Sequence, residues 1–522
     1  MVETAEHLPD DIEILKELVR SKDQLLNDKD QYIILLEEER RLRYHQRFAP
    51  KSEKISKDQL NLFDEAEIEA EPESEESDTV EKTPVLEHTR KKPGRKPLPE
   101  HLPRTRIEYD LTEEEKLCPC GCQKTRIGEE TSEQLHIIPA KVEVLQHVRF
   151  KYACRKCEGV EDEGPTVATA SMPKQPIPKS NASPGLLSTI VTSKFCDGLP
   201  LYRQENMFSR IGVDLGRGTM ANWMIKAGQL IEPLIKRLNE TQLSYDILQM
   251  DETTVQVLKE HGKTATSKSY MWVRRGGPPD RPVILFDYDP SRSGQVPVRL
   301  LEHYRGILQT DDYGGYNAVA KRDDIIPVAC LAHARRKFDE ALKAQGKNRK
   351  SKNKSGKGSL AGQGLDLIGR IYSIERKAKK QNLDPDERKQ LRLEKAKPVW
   401  DELREWLDLS IRQVPPGSLT GKALTYLDRQ WPRLIRMLDD GRIEVDNNLC
   451  ENAIRPFVLG RKAWLFSDTT KGARASANLY SLIETAKAYG LEPRAYLQQV
   501  FTKLPNCDDH QEVEALLPWN LK

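Results

Sequence analysis

The stretch ILQMDETTVQVL, at residues 247–258, is the first of five short segments that decide the fold. β-Branched and aromatic residues dominate these segments, a composition typical of strands. The other four are SYMWVRR (269–275), PVILFDYD (282–289), GILQTD (306–311) and IIPVACL (325–331). Helical sequence follows each of the last two segments. Three successive strands and then two strand–helix units predict an α/β domain with a mixed sheet.

The first half of the chain contains two helical patterns. Residues 10–47 carry apolar side chains at heptad-like spacing, which predicts either a coiled coil with a second copy or an amphipathic helix packed on its own chain. The second pattern lies at 201–227. It predicts a helix ending near Ile211, a turn at Gly212 and a second helix from Arg217, which is helix-turn-helix spacing.

Charge is unevenly distributed along the 522 residues, although the formal net charge is only +2. Residues 64–81 carry ten acidic groups and no basic ones, which predicts a disordered linker. Residues 88–106 then carry seven Lys and Arg among prolines and glycines. Such a segment suits the groove of DNA, the alternative being a flexible, solubilising linker. The basic low-complexity run at 344–358 predicts a loop.

Five of the nine cysteines fall in two tight clusters, which favours one metal site over a disulfide framework. The clusters are Cys118, Cys120 and Cys122 in CPCGC, and Cys154 with Cys157 in a C-x-x-C pair. Four of these five thiols suit a structural Zn²⁺, and the spacing leaves open which upstream pair takes part. With no apolar window of about 18 residues and no signal sequence, the chain is predicted to be cytoplasmic.

Three carboxylates are candidates for a Mg²⁺ site. Asp251 and Asp311 are predicted to end apolar strands, where a charge needs a compensating partner. Glu451, in DNNLCENAIRP, is predicted in the first turns of a helix whose N-cap is Asp446 or Asn447. Two divalent ions held by such residues activate water or a DNA 3′-OH for phosphodiester chemistry. Spacing alone leaves other acidic residues as competitors: Asp312, Asp287, Glu252 and Glu484.

The chain resembles the insertion-sequence-66 family of bacterial transposases over nearly its full length. The similar segments, in chain order, are RFAPKSEK (47–54), GRKPLPEHLPR (94–104), GEETSEQLHIIPAKVEVLQHVRFKYACRKC (128–157), KFCDGLPLYRQENMFSRIGVDL (194–215), MDET (250–253), LQTDDYGGYN (308–317), CLAHARRKF (330–338), DNNLCENAIRPFVLGRKAWLF (446–466) and SLIETAKAYGLEP (481–493).

That resemblance implies a ribonuclease-H-like catalytic core with a helical insertion, and a zinc-finger-like module around the cysteines. It assigns the acidic triad to Asp251, Asp311 and Glu451, with Asp312 as a weaker substitute for Asp311. The implied function is a DDE-type DNA transposase that cleaves element ends and transfers the 3′-OH with two Mg²⁺ or Mn²⁺ ions. Expected partners are DNA, further copies of the chain and accessory proteins of the same element.

Cationic residues near the triad and in the basic segment are candidate DNA contacts. They are Arg90, Lys91, Lys92, Arg95, Lys96, His333, Arg335, Arg336, Arg455, Arg461 and Lys462. Ordinary surface charge is the alternative for each. Trp464 and Phe466 are predicted to anchor the following segment in the core.

The predicted organisation has seven parts. They are an N-terminal helix or coiled coil (1–55), an acidic then basic linker (56–106), the zinc-finger-like module (107–170), a helical DNA-binding region (180–240), the first part of the core (241–343), a basic loop with a helical insertion (344–440) and the last part of the core (441–522). Two other functions remain open: a DNA-binding regulator that uses the catalytic fold as a scaffold, and a plain nuclease without end specificity.

Overall fold

The computed structural model describes residues 12–48, 142–153, 167–344 and 358–521. These form two compact units, one of residues 1–51 and 172–522 and the other of residues 52–171. The predicted acidic and basic linkers, the five clustered cysteines and the centre of the predicted 344–358 loop lie outside the described residues. In the smaller unit, strands β1 (Lys151–Ala153) and β2 (Val167–Thr169) form an antiparallel hairpin.

The predicted N-terminal helix is confirmed as α1 (Ile12–Phe48). It contacts two helices of the larger unit, α8 (Leu331–Ala344) and α12 (Leu419–Leu434). Glu39 of α1 lies 3.7 Å from the ammonium group of Lys422 on α12. Among the helices in the described part of the chain, none is both long and apolar enough to cross a membrane.

The predicted helix–turn–helix spacing is also confirmed. Directly before the sheet, the described chain forms four consecutive helices: α2 (Pro184–Phe195), α3 (Leu201–Arg210), α4 (Arg217–Leu230) and α5 (Glu232–Leu243). Gly212 turns the chain between α3 and α4 with φ +79, a conformation that favours glycine. Ser183 begins α2 by accepting a hydrogen bond from the Leu186 N–H at 3.1 Å.

All five predicted strands are present in one mixed sheet. They are β3 (Ile247–Lys259), β4 (Lys268–Gly276), β5 (Val283–Asp289), β6 (Gly306–Thr310) and β7 (Ile325–Ala329). Their order is β5-β4-β3-β6-β7, antiparallel from β3 to β5 and parallel from β3 to β7. The central strand β3 therefore pairs with an antiparallel neighbour, β4, and a parallel neighbour, β6.

Helices connect the strands and cover the sheet. Besides α8 and α12 they are α6 (Gln295–Leu300), α7 (Asn317–Ala320), α9 (Leu360–Lys380), α10 (Pro385–Leu391), α11 (Lys397–Ser410), α13 (Asn448–Trp464), α14 (Thr470–Ala488), α15 (Pro493–Lys503) and α16 (His510–Glu514). A short strand, β8 (Ser467–Thr469), runs parallel to the far end of β3. Residues 360–440 are largely helical, as predicted, and contain α9 to α12.

Helix α14 protects the edge strand β5. The Ser481 hydroxyl accepts the Phe286 N–H at 2.7 Å, and the Thr485 hydroxyl accepts the Ile284 N–H at 3.1 Å. Hydrogen-bonding groups that an edge strand leaves unpaired are thus satisfied by side chains of a helix.

A buried ion network ties the insertion to the segment before α13. Arg392, fully buried, donates to both Glu375 oxygens at 2.7 and 2.9 Å. The same guanidinium donates to the carbonyl oxygens of Met437, Asp440 and Ile443. Because these carbonyls shortly precede α13, the insertion fixes the path by which the chain enters that helix.

Two sequence-based expectations are wrong in detail. Asp251 does not end its strand, because β3 continues to Lys259 and pairs there with β4 and β8. Phe466 does not anchor the core, since the residue is 43% exposed. Trp464 does pack inward, edge-on to Phe457 with ring centroids 5.5 Å apart.

Candidate active site

Two aspartates lie at matching positions on neighbouring parallel strands. In β3 and β6, Leu248 is opposite Leu308 and Gln249 is opposite Gln309. Asp251 and Asp311 each come two residues after these glutamines. Because strand side chains alternate in direction, Asp251 shares a face of β3 with Gln249. The parallel register therefore carries both carboxylates to one edge of the sheet.

The two glutamines are joined by a buried hydrogen bond. Gln249 Nε2 donates to Gln309 Oε1 at 2.7 Å, and the residues are only 5% and 0% exposed. Gln249 also donates to the Asp446 carbonyl at 3.1 Å, and Gln309 donates to the Glu444 carbonyl at 2.8 Å. The pair thus connects both aspartate-bearing strands to the chain that leads into α13.

The first turn of α13 is held against β3, which brings Glu451 to the aspartates. The Cys450 N–H donates to Gln249 Oε1 at 3.1 Å. Asn447, confirmed as the N-cap residue, donates from its side chain to the Met250 carbonyl at 3.1 Å. Glu451 follows directly, in the helix turn where the backbone N–H groups favour negative charge.

Electrostatics supports the same grouping. The pKa of Asp251 is raised to about 8, chiefly by burial and also by the nearby carboxylates of Glu252, Asp311 and Glu451. Among the described residues, Asp251 and Asp311 accept side-chain hydrogen bonds only from backbone N–H groups, of Glu252 at 2.8 Å and Tyr313 at 2.9 Å. Neither aspartate carboxylate therefore has a cationic side chain as its hydrogen-bond donor among the described residues.

Each of the four competing carboxylates forms an ion pair with a basic side chain. Glu252 binds Arg292, at 2.9 and 2.6 Å, and the Tyr316 hydroxyl. The remaining pairs are Asp287 with Arg274, Glu484 with Lys487, and Asp312 with both Arg429 and Gln430 of α12. Residues of α12 thus occupy the Asp312 carboxylate, whereas the adjacent Asp311 carboxylate accepts only the Tyr313 N–H among the described residues.

Some predicted DNA contacts lie beside Glu451. His333 Nε2 is 3.9 Å from Glu451 Oε1, and the Arg336 guanidinium is 3.8 Å from Glu451 Oε2. Arg455 lies one turn further along α13. Arg335, also on α8, is exposed with its guanidinium 6.0 Å from the centre of the Tyr372 ring.

The other predicted contacts are further from Glu451 or outside the described residues. Arg461 donates to the hydroxyls of Thr253 and Thr254 at 3.2 and 2.9 Å, just beyond Asp251 on β3. Lys462 is exposed near the end of α13. The basic segment with Arg90, Lys91, Lys92, Arg95 and Lys96 is among the residues that the structure does not describe, as are the clustered cysteines.

Four family models match successive segments that together cover most of the chain. A model described as Transposase IS66 family matches residues 179–475. The chain belongs to this transposase family. Models described as zinc-finger binding domain of transposase IS66, IS66 C-terminal element and Transposase C of IS166 homeodomain match residues 115–158, 481–519 and 35–107.

Three proteins of Sinorhizobium fredii are similar to this IS66-family chain over most of their length. Uncharacterized protein y4hP is 30% identical over 481 residues, which cover 89% of this chain and 84% of the relative. Uncharacterized protein y4jD is 33% identical, covering 81% of each, and Uncharacterized protein y4qI is 32% identical, covering 83% and 79%.

Sequence reasoning missed the glutamine pair, although the sequence contains a sign of it. The motif Leu-Gln-x-Asp occurs twice, as LQMD at 248–251 and LQTD at 308–311. A glutamine two residues before each aspartate, on a strand with alternating faces, lies on the same side as that aspartate when the strand continues. The repeat could have predicted both the pairing of the strands and the residues that align them.

Asp251→Asn is expected to remove a pH-dependent loss of stability in the metal-free IS66-family chain. With the folded pKa raised to about 8, wild-type stability falls as pH rises from the unfolded value near 4 through 8. We expect Asp251→Asn to be more stable than wild type by about 1–3 kcal/mol at pH 8 and equal at pH 4, because partial hydration relieves some of the burial cost.

Thermal or urea unfolding between pH 4 and pH 9 measures this difference. Asp312→Asn is the matched control and should be destabilised instead, since it loses its ion pair with Arg429. Added Mg²⁺ should stabilise wild type at pH 8 and leave Asp251→Asn nearly unchanged. If the free energy of unfolding depended on pH in the same way in wild type and in Asp251→Asn, the raised pKa of the buried Asp251 carboxyl would be contradicted.

Proposed function

We propose that this chain is a DDE-type DNA transposase whose catalytic residues are Asp251, Asp311 and Glu451. The observation that carries the proposal is the buried Asp251 carboxylate, which is flanked by two further carboxylates and lacks an ionic partner among the described side chains. Family membership supports the same conclusion. The mixed sheet with two strand–helix units, and a late helix bearing the glutamate, supports a ribonuclease-H-like core.

The residues present fit Mg²⁺ or Mn²⁺. All three groups offer hard oxygen ligands, and a buried carboxylate with a pKa near 8 requires a cation to remain charged at neutral pH. When bound, two divalent ions would supply Lewis-acid activation of the attacking and leaving oxygens of a phosphodiester. The protein's part is to hold three carboxylates in fixed positions through the Gln249–Gln309 pair and the first turn of α13.

We propose that basic side chains around the triad orient the DNA backbone. Arg336 and His333 lie on the Glu451 side, whereas Arg461 lies further along β3 from Asp251. Arg335, Arg455 and Lys462 extend this set along the two helices. Each can bind a phosphate oxygen near the scissile bond and so orient the strand, while base-specific recognition requires other elements.

The front half of the chain is proposed to recognise DNA ends. The match of residues 115–158 to a zinc-finger model supports Zn²⁺ binding by four of the five clustered cysteines. The confirmed α3–α4 helix-turn-helix spacing and the basic segment at 88–106 support contacts with the duplex. A strand-transfer enzyme must bind two element ends together, which requires at least two copies of the chain.

Asp311→Asn is expected to lower Mg²⁺-dependent cleavage of a labelled duplex carrying the element's terminal repeats by about a hundredfold or more, because a metal ligand is lost. Asp312→Asn, its neighbour and matched control, should stay within about tenfold of wild type, because Asp312 contacts α12 instead. Gel analysis of cleaved and joined products gives both rates.

Three outcomes would contradict parts of the proposal. Loss of cleavage only in Asp312→Asn would transfer the catalytic role to that residue. Binding of the labelled ends without cleavage by wild type would favour a DNA-binding regulator. Cleavage of any duplex equally well would favour a plain nuclease.

We propose that α1 joins two copies through its heptad positions. Val19, Leu26 and Ile33 are seven residues apart, and they are 56%, 58% and 52% exposed although apolar. Seven-residue spacing places them on one stripe of the helix, the geometry of a coiled-coil seam. The contacts of α1 with α8 and α12 leave this stripe uncovered within one chain.

Leu26→Glu with Ile33→Glu is expected to weaken self-association by about a hundredfold or more, because two charges would enter the apolar seam. Sedimentation velocity over a range of concentrations measures the effect. Ser21→Glu with Gln24→Glu adds the same charge at exposed positions outside the stripe and should associate like wild type. Equal masses for the two double variants would refute the seam.

A further inference from the structure

Beside the three carboxylates lies a group of side chains with different ligand chemistry. One ligand atom from each of Cys330, His333 and Glu451 lies within 4.8 Å of the other two. Cys330 follows β7, His333 is in the first turn of α8, and Glu451 is in the first turn of α13. A sulfur, an imidazole nitrogen and a carboxylate oxygen are typical Zn²⁺ ligands, whereas Mg²⁺ prefers oxygen.

His333 has a ring nitrogen without a hydrogen-bond partner among the described residues. This atom, Nδ1, is buried. A buried polar atom without a partner costs free energy, and imidazole nitrogens are common metal ligands. Its other nitrogen, Nε2, lies 3.9 Å from Glu451 Oε1.

Cys330 contributes a buried sulfur atom to the group. It is fully buried, and its Sγ accepts the Asn447 N–H at 3.2 Å, so that β7 is held to the start of α13. Zn²⁺ at about 2.0–2.3 Å from each ligand requires ligand atoms about 3.3–3.8 Å apart. Ligand atoms that lie as far apart as 4.8 Å must therefore approach each other by roughly 1 Å to bind one ion. The side chains of His333 and Glu451 can approach the sulfur by rotating about their side-chain bonds, since they are 24% and 26% exposed.

We propose that Cys330, His333 and Glu451 form a Zn²⁺ site that takes Glu451 away from the Mg²⁺-binding triad, so that zinc inhibits DNA cleavage. Binding forms a sulfur–zinc bond and releases the thiol proton to solvent. The fourth ligand position stays open to water or a phosphate oxygen. The inhibitory part of this inference rests on the proposed function, whereas zinc binding itself does not.

Zinc stoichiometry of the full chain tests the site directly. Wild type, Cys330→Ser and the control Cys507→Ser are loaded with Zn²⁺, dialysed against a weak chelator and assayed for bound zinc. Serine at 330 keeps a hydrogen-bond acceptor for Asn447, so the fold should be retained. We expect one zinc fewer per chain in Cys330→Ser alone. Equal zinc content in all three proteins would overturn the proposal.

Inhibition of Mg²⁺-dependent cleavage by added Zn²⁺ is the second readout. Cys330→Ser should cleave like wild type without zinc and need about tenfold more zinc for half inhibition, because a ligand has been lost. Identical inhibition of both proteins would refute the competition for Glu451. If no protein cleaves DNA, the proposed function fails, while the zinc content still decides whether the site exists.

Discussion

The structure depends on one hydrogen bond between two buried side-chain amides, Gln249 and Gln309. This pair aligns the two strands that carry Asp251 and Asp311, and it bonds to the chain on both sides of the α13 N-cap. Leaving one buried amide without its partner costs about 1–3 kcal/mol. Three carboxylates separated by 200 positions of sequence, from 251 to 451, are thus kept together by uncharged groups that do not compete for a metal.

Placing these carboxylates close together lowers the stability of the fold through charge repulsion and burial. Contacts elsewhere in the fold oppose this loss of stability. The raised pKa of Asp251 is the clearest sign of the loss. The fully buried Arg392 donates hydrogen bonds to carbonyl oxygens that shortly precede α13. In addition, the first turn of α13 presents backbone N–H groups near Glu451, which favour its negative charge. The helical insertion, which lies between Asp311 and Glu451 in sequence, therefore helps to fix the position of the helix that carries Glu451.

The sequence predicted the elements better than their joint arrangement. Composition was enough for five strands, and the N-cap pattern was enough to put Glu451 in the first turn of a helix. Local pattern could not show that β3 continues past Asp251, because that continuation depends on pairing with β4 and β8, which are distant in sequence. Spacing between acidic residues also could not separate Asp311 from Asp312. Their different partners do, because the Asp312 carboxylate contacts α12.

The most direct test of the central claim is anomalous diffraction from crystals of the full chain grown with Mn²⁺. The account predicts anomalous density in contact with carboxylate oxygens of Asp251, Asp311 and Glu451 together, with Asp312 still bonded to Arg429. Manganese bound without Asp251, or density only at other acidic residues, would contradict it.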